Sequence, residues 1–220
     1  LIDIGISYIP KDSVIAKMIA DLRAWHSVEK DWRATRELLE ANYGYDKYGG
    51  NCHMVPNHGL IIHSLLHGEG DFSETLKIVN TCGWDTDCNS GNVGCLMGVL
   101  VGLDGIDSSV GRGLDWRGPI ADRMYCPTSD GDRCISDCVR EALHIINMGH
   151  SLAGAPVFQP KQGAQFSFCF PGSVQGFQVQ SGEAKLSNLK GEALHISGKA
   201  GARSGAPVFA PSKDVADYFE

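Results

Sequence analysis

The chain has 220 residues, of which 43% are apolar and 20% are charged, and its formal net charge is −7. This composition is typical of a globular protein with a sizeable core, and it excludes an intrinsically disordered chain. The acidic balance and the lack of a basic cluster argue against a nucleic-acid partner. The longest apolar run, residues 93–103, is too short to cross a bilayer, so we expect no membrane partner.

The eight cysteines include no Cys-x-x-Cys pair, and several of them lie in apolar helical stretches. Free cysteine behaves there as a small hydrophobic residue, and a disulfide framework is uncommon in a chain of this length. We therefore expect a reducing compartment and a cytoplasmic location.

The first predicted helices follow from apolar spacing and from capping residues. From Val14 onward, apolar residues recur at helical spacing after the capping candidates Asp12 and Ser13. A second helix is predicted over residues 31–43, and Gly44 is well suited to end it.

Two further helices are predicted from their caps. Asn57 is the expected cap of an apolar helix that runs to Leu66. Asp71, followed three positions later by Glu74, has the spacing of a capping box, and the helix that it opens should end at Cys82.

A glycine-rich apolar helix is predicted next, and its glycines at positions 91, 94, 98 and 102 would let another helix approach closely. Residues 104–133 are predicted to form a long irregular loop, and residues 136–148 a last helix.

The pattern changes near residue 153, where residues 165–170 begin to alternate with period two. Parts of residues 176–179 and 193–196 alternate in the same way. We therefore predict a mainly α protein: a multi-helix bundle over residues 1–152, followed by a small all-β, sandwich-like segment over residues 153–220.

The most informative motif is Gly-Trp-Asp-Thr-Asp-Cys-Asn-Ser-Gly at residues 83–91, which places Asp85 and Asp87 two positions apart. On a turn or an extended backbone, side chains at i and i+2 point to the same side, so both carboxylates can face one hard cation such as Mg²⁺. The N–H groups where the following helix begins, near Asn89, suit an anion such as a phosphate. The alternative is that both aspartates only cap this helix.

Other metal sites are less well supported. An EF-hand interpretation of Asp85, Asp87 and Asn89 fails, because Ser90 and Leu96 occupy the positions that need Gly and Glu.

A zinc site could use His63 and His67, which share a helix face, but the spacing fixes no third ligand, so we expect ordinary helix histidines.

The sequence also lacks the Gly-x-Ser-x-Gly motif of a serine nucleophile, which argues against nucleophilic catalysis. Cys88 lies near a helix N-terminus, which would lower the pKa of its thiol, but we expect it to support its neighbours rather than to attack a substrate.

The run that begins at Gly83 resembles the C-terminal metal-binding motif of the ADP-ribosylglycohydrolase family, which includes the dinitrogenase reductase-activating glycohydrolases. The stretch Asn51-Cys52-His53 and the segment Gly70-Asp71-Phe72 agree with that resemblance. It covers roughly residues 1–150.

The resemblance implies an all-α enzyme with two Mg²⁺ ions that hydrolyses the N- or O-glycosidic bond of an ADP-ribosyl group. It implies metal ligands at Asp85, Asp87 and Cys88, where the family has Thr or Ser at the third position. A thiol is a poor ligand for Mg²⁺. Asn51, His53 and Asn89 are the expected contacts to the substrate, free or protein-linked ADP-ribose.

The family's glycine-rich segment, with its Thr-Asp-Asp ligands and catalytic acid, has no counterpart in this sequence. The resemblance therefore implies the C-terminal portion of a larger hydrolase, with half of the metal site here and the catalytic acid upstream of Leu1. We expect this fragment to be inactive alone. The competing hypothesis is a non-catalytic or degenerate member that binds carbohydrate or protein through its β segment.

Overall fold

The computed structural model describes residues 2–125 and 135–207. The contacts divide the chain into two units, residues 1–114 and 115–220. The protein is mainly α-helical, and paired β-strands follow the last helix, as predicted. Among the described residues, no helix combines the length and the apolar character that a membrane span needs.

The described part of the first unit folds into six α-helices. They are α1 (Ile2–Ser7), α2 (Val14–Val28), α3 (Trp32–Tyr43), α4 (Met54–His67), α5 (Phe72–Thr81) and α6 (Thr86–Asp107). Side-chain oxygens of Ser13, Asp31 and Asp71 accept backbone N–H groups at the starts of α2, α3 and α5, which confirms the predicted caps at Ser13 and Asp71. Gly44 ends α3 and Cys82 ends α5, also as predicted.

Helix α4 is the centre of the first unit and contacts α2, α3, α5 and α6. It is apolar on nearly all sides, as expected of a helix surrounded by others. Gly59 allows α3 to come close, because a Cβ at this position would lie 2.8 Å from a methyl carbon of Leu39. The buried cluster around α4 comprises Met18, Ile19, Leu22, Leu39, Tyr43, Val55, Leu60, Ile62, Ile78 and Cys82.

Two predicted boundaries in this unit are wrong. Helix α4 begins at Met54, and its cap is His53, whose Nδ1 accepts the N–H of Val55 at 3.2 Å. Asn57 is therefore a buried residue inside the helix rather than its cap. Helix α6 continues to Asp107 across a kink at Gly102, where φ is 64°, so the predicted loop does not begin at residue 104. Glycine tolerates this left-handed conformation without steric cost.

The described part of the second unit contains three antiparallel strand pairs and one α-helix. The pairs are β1 (Arg123–Tyr125) with β2 (Ile135–Asp137), β3 (Gln178–Ser181) with β6 (Arg203–Gly205), and β4 (Ala184–Ser187) with β5 (His195–Gly198). Helix α7 (Cys138–Leu152) follows β2 and is capped by the side chain of Asp137. The predicted domain boundary after residue 152 stays a prediction.

The strand predicted over residues 165–170 is wrong, since no strand forms there. Phe168 has φ 50°, which breaks an extended backbone, and its N–H donates to the side-chain oxygen of Gln175 at 2.7 Å. The alternation instead reflects an aromatic cluster. Phe166 and Phe168 stack with ring centroids 6.2 Å apart, and both meet Phe177 edge-on.

Candidate metal centre

The turn between α5 and α6 is fixed by residues of the sequence motif itself. Asp85 lies just before α6 in the left-handed conformation, at φ 44° and ψ 54°. The Thr86 hydroxyl donates to the carbonyl of Gly83 at 2.7 Å, and the Asn89 side-chain amide donates to the carbonyl of Trp84 at 2.8 Å. Asn89 is only 1% exposed, so its observed role is to hold the turn.

The predicted ligands converge at this turn. One donor atom each from Asp85, Asp87 and Cys88 lie within 4.8 Å of one another, and in the described part of the chain no other group of three His, Cys, Asp or Glu residues does this. The backbone differs from the expected turn, because Asp87 already lies in the first turn of α6. The capping alternative is wrong for Asp85, whose side chain makes no capping hydrogen bond.

The Asp85 side chain is held in place by two consecutive hydrogen bonds that were not predicted from the sequence. The side-chain amide of Asn57 donates to the Asp85 carboxylate at 2.7 Å, and the Tyr45 hydroxyl donates to the side-chain oxygen of Asn57. Asn57 is 7% exposed. Burial, followed by the negative charge of Asp85, raises the pKa of the Tyr45 phenol, so this group stays a donor at neutral pH.

Arg36 holds Trp84, the residue just before Asp85. The guanidinium carbon lies 3.8 Å from the centre of the Trp84 ring, and Nε donates to the carbonyl of Cys82 at 3.1 Å. The Tyr45 ring also contacts Trp84, with centroids 5.0 Å apart. A cation over an aromatic face is favourable, so Arg36 clamps both ends of the segment that leads into Asp85.

Two thiols interact with the Asp85 carboxylate. For Cys88, the hydrogen bond to Asp85 and the charges of Asp85 and Asp87 raise the thiol pKa. For Cys52, from the loop before α4, partial desolvation and then the Asp85 charge and hydrogen bond raise it. The expectation that the helix N-terminus lowers the pKa of Cys88 is therefore wrong, because nearby carboxylates outweigh the helix dipole.

The other expected substrate contacts lie in or beside the loop that carries Cys52. Asn51 is exposed in this loop. His53 caps α4 and contacts the Tyr48 ring, with centroids 5.3 Å apart. Both residues stay candidates for substrate contact. The useful signal that sequence analysis missed in this region is Asn57, a buried polar residue in the first turn of the mainly apolar helix α4.

Comparison with known families decides the relationship. The family model described as ADP-ribosylglycohydrolase matches residues 1–142. The chain belongs to the ADP-ribosylglycohydrolase family. No curated protein and no solved structure matches it.

Membership in the ADP-ribosylglycohydrolase family suggests hydrolysis of ADP-ribosyl groups, and the family is typically metal-dependent. The donor set fits a hard divalent cation in part. The carboxylates of Asp85 and Asp87 are oxygen ligands of the kind that Mg²⁺ prefers, whereas the sulfur of Cys88 is a soft ligand that does not suit Mg²⁺. The prediction that this chain is the family's C-terminal portion stays a prediction.

Three histidines of the helical unit form a cluster of their own. The rings of His26 and His63 each contact His67, with centroids 4.6 and 4.7 Å apart, and the Thr35 hydroxyl lies 2.7 Å from Nε2 of His67. Among the described residues, their nitrogens do not come together as the ligands of one metal ion would. Burial, with the neighbouring His67, lowers the pKa of His63 to about 3, so its imidazole is neutral in the folded protein.

Proposed function

We propose that this protein contributes to a divalent-cation-dependent hydrolase that cleaves the N- or O-glycosidic bond of an ADP-ribosyl group. The observation that carries the proposal is the convergence of Asp85, Asp87 and Cys88 within 4.8 Å, in a chain of the ADP-ribosylglycohydrolase family. We assign Mg²⁺ to the two carboxylates. The two-ion centre that the family suggests requires further ligands beyond these.

The side chains around the turn orient its carboxylates so that they can bind a cation. Asn57 orients the Asp85 carboxylate by donating to one of its oxygens. Asp87 is exposed and can meet the same cation from the solvent side. A bound Mg²⁺ polarises a sugar oxygen or activates a water molecule. The N-terminus of α6 favours the negative charge of a pyrophosphate, and Asn51 and His53 are proposed to contact the substrate from the neighbouring loop.

The test compares Asp85→Asn and Asp87→Asn with Asp104→Asn, an exposed aspartate farther along α6. Asparagine tolerates the left-handed backbone of Asp85 and keeps the side-chain size, so the change removes charge without adding strain. In the complete hydrolase to which this chain contributes, we expect the release of ADP-ribose from an ADP-ribosylated substrate to fall at least about a hundredfold in the first two variants only. Unchanged turnover in Asp85→Asn would reject the assignment.

A second candidate function is binding without catalysis. The thiol of Cys88 at a ligand position favours it, as does a cavity of about 600 Å³ in the second unit, bordered by Arg117, Asp122 and Asn188. In that case the protein would bind a carbohydrate or a protein, and Mg²⁺ would not change the binding. Calorimetric titration of ADP-ribose with and without Mg²⁺ separates the two functions, since only the hydrolase requires the ion.

A further inference from the structure

The turn before α6 carries two thiols as well as two carboxylates. Donor atoms of Asp85, Asp87 and Cys88 lie within 4.8 Å of one another. The thiol of Cys52 reaches the same Asp85 carboxylate from the loop before α4. Three potential ligands, two of oxygen and one of sulfur, therefore converge at the start of the helix, and the Cys52 thiol, which hydrogen-bonds to Asp85, is a further sulfur ligand beside them.

We propose that this turn is a binding site for a thiophilic divalent cation, Zn²⁺, held by Asp85, Asp87, Cys88 and Cys52. The inference rests on the proposed function in one respect, namely that the same turn binds cations. It goes beyond that function because Zn²⁺ competes with Mg²⁺ for the two carboxylates and blocks the Mg²⁺-dependent reaction.

The chemistry of the donors favours Zn²⁺ over Mg²⁺. Mg²⁺ requires oxygen ligands in octahedral geometry and gains nothing from sulfur. Zn²⁺ accepts thiolate and carboxylate ligands together, and its closed sites have four ligands in a tetrahedron. The two thiols and two carboxylates supply that number, whereas for Mg²⁺ only the two carboxylates count.

The geometry requires small side-chain movements. A tetrahedral zinc site with bonds of about 2.0–2.3 Å places its ligand atoms about 3.3–3.8 Å from one another. The observed separations reach 4.8 Å at most among Asp85, Asp87 and Cys88. Asp87, Cys88 and Cys52 are exposed and free to rotate inward, while Asn57 keeps the Asp85 carboxylate in place.

The experiment is a calorimetric titration of the reduced chain with Zn²⁺ and, separately, with Mg²⁺. Cys88→Ser and Cys52→Ser are compared with Cys95→Ser, an exposed free cysteine on the same helix α6. We expect one Zn²⁺ per chain, bound at least about tenfold more tightly than Mg²⁺. Cys88→Ser should weaken Zn²⁺ at least about tenfold without weakening Mg²⁺, and Cys95→Ser should change neither.

A second readout uses Cd²⁺, whose bonds to thiolates absorb in the ultraviolet. The absorption that appears on adding Cd²⁺ should decrease in Cys88→Ser and in Cys52→Ser and persist in Cys95→Ser. Circular dichroism confirms that each exposed substitution leaves the helices folded.

The outcomes separate the two proposals. Mg²⁺ binding that depends on Asp85, together with Zn²⁺ binding that is equal in Cys88→Ser and in the unmodified chain, would overturn the zinc site and leave the hydrolase proposal standing. If neither cation binds, the cation site itself is rejected, and both proposals fail.

Discussion

Asn57 in the first turn of α4 donates a 2.7 Å hydrogen bond to the carboxylate of Asp85, 28 residues later in the chain. The bond joins the central helix of the first unit to the turn that carries the candidate ligands. Since Asn57 is buried and receives the Tyr45 hydroxyl on its other side, its side chain has one fixed orientation. The position of the Asp85 carboxylate therefore depends on the core of the helical unit.

Replacing Asn57 tests this dependence. In Asn57→Ala the Asp85 carboxylate loses its orienting donor, so we expect Mg²⁺ affinity to fall about tenfold. The free energy of unfolding should fall by about 1–3 kcal/mol, because the buried Asn57 amide and its two hydrogen bonds are lost. Calorimetric titration and urea unfolding measure the two effects. Asn42→Ala is the control, since Asn42 is exposed on α3 and bonds only locally, to the carbonyl of Leu38. Equal Mg²⁺ affinity in a folded Asn57→Ala would contradict the orienting role.

The buried imidazole of His63 predicts a pH dependence of stability. Its pKa is lowered to about 3 in the folded protein by burial and by His67, against about 6.5 in an unfolded chain. Below pH 6.5 the unfolded chain binds a proton that the folded protein does not bind, so stability falls as the pH falls from 6.5 towards 3. The expected loss is up to about 1.4 kcal/mol per pH unit.

Urea unfolding between pH 7.5 and about pH 5 measures this loss. In His63→Gln the dependence on pH should be shallower, whereas His195→Gln, at an exposed position on β5, should keep the slope of the unmodified chain. A slope that is the same in all three proteins would show that His63 does not titrate in this way.

Two glycine-to-alanine changes should have opposite signs. A Cβ at Gly68, which ends α4, would lie 1.9 Å from the Thr75 hydroxyl oxygen and 2.8 Å from the Thr75 Cα. We expect Gly68→Ala to destabilise the fold by about 1–3 kcal/mol. A Cβ at Gly91, on the exposed side of α6, would meet nothing within 4 Å, so Gly91→Ala should stabilise by about 0.5–1 kcal/mol.

Chemical unfolding of both variants measures these changes. The Gly91→Ala variant also tests whether the glycines of α6 allow another helix to pack closely against it. In the described residues only Gly94 lies near another helix, with its Cβ position 3.8 Å from the Leu76 side chain of α5. If Gly91→Ala were destabilising, the Gly91 surface would have to be covered in the native protein.

In the second unit, the side chain of Asn188 should contribute strongly to the stability of the fold. Its side-chain amide donates to the carbonyls of Phe168 and Ser173 at 3.0 and 2.9 Å, and its oxygen accepts the N–H of Gly191 at 2.9 Å. Asn188→Ala should lower the free energy of unfolding by about 2–4 kcal/mol, because these buried and partly buried backbone groups lose their partners. Ser197→Ala, exposed on β5, is the control. A loss below about 1 kcal/mol would contradict the role of Asn188 as a link between these loops.

Local features of the fold were readable from the sequence. Ser13 and Asp71 cap their helices as predicted because a cap depends only on groups within the same turn. The same locality explains the errors. His53 replaced Asn57 as a cap, and the period-two run at residues 165–170 became an aromatic cluster, since each outcome depends on which distant groups become neighbours.

The sequence by itself determined the family relationship and the two carboxylates of the Asp85-Thr86-Asp87 motif, because spacing and residue type carry that information. Only the tertiary structure decided what surrounds them. Asn57 fixes Asp85, Arg36 holds Trp84, and Cys52 joins Cys88 beside the carboxylates. These groups come from separate helices and loops, and packing of the helices around α4 is what brings them to one turn.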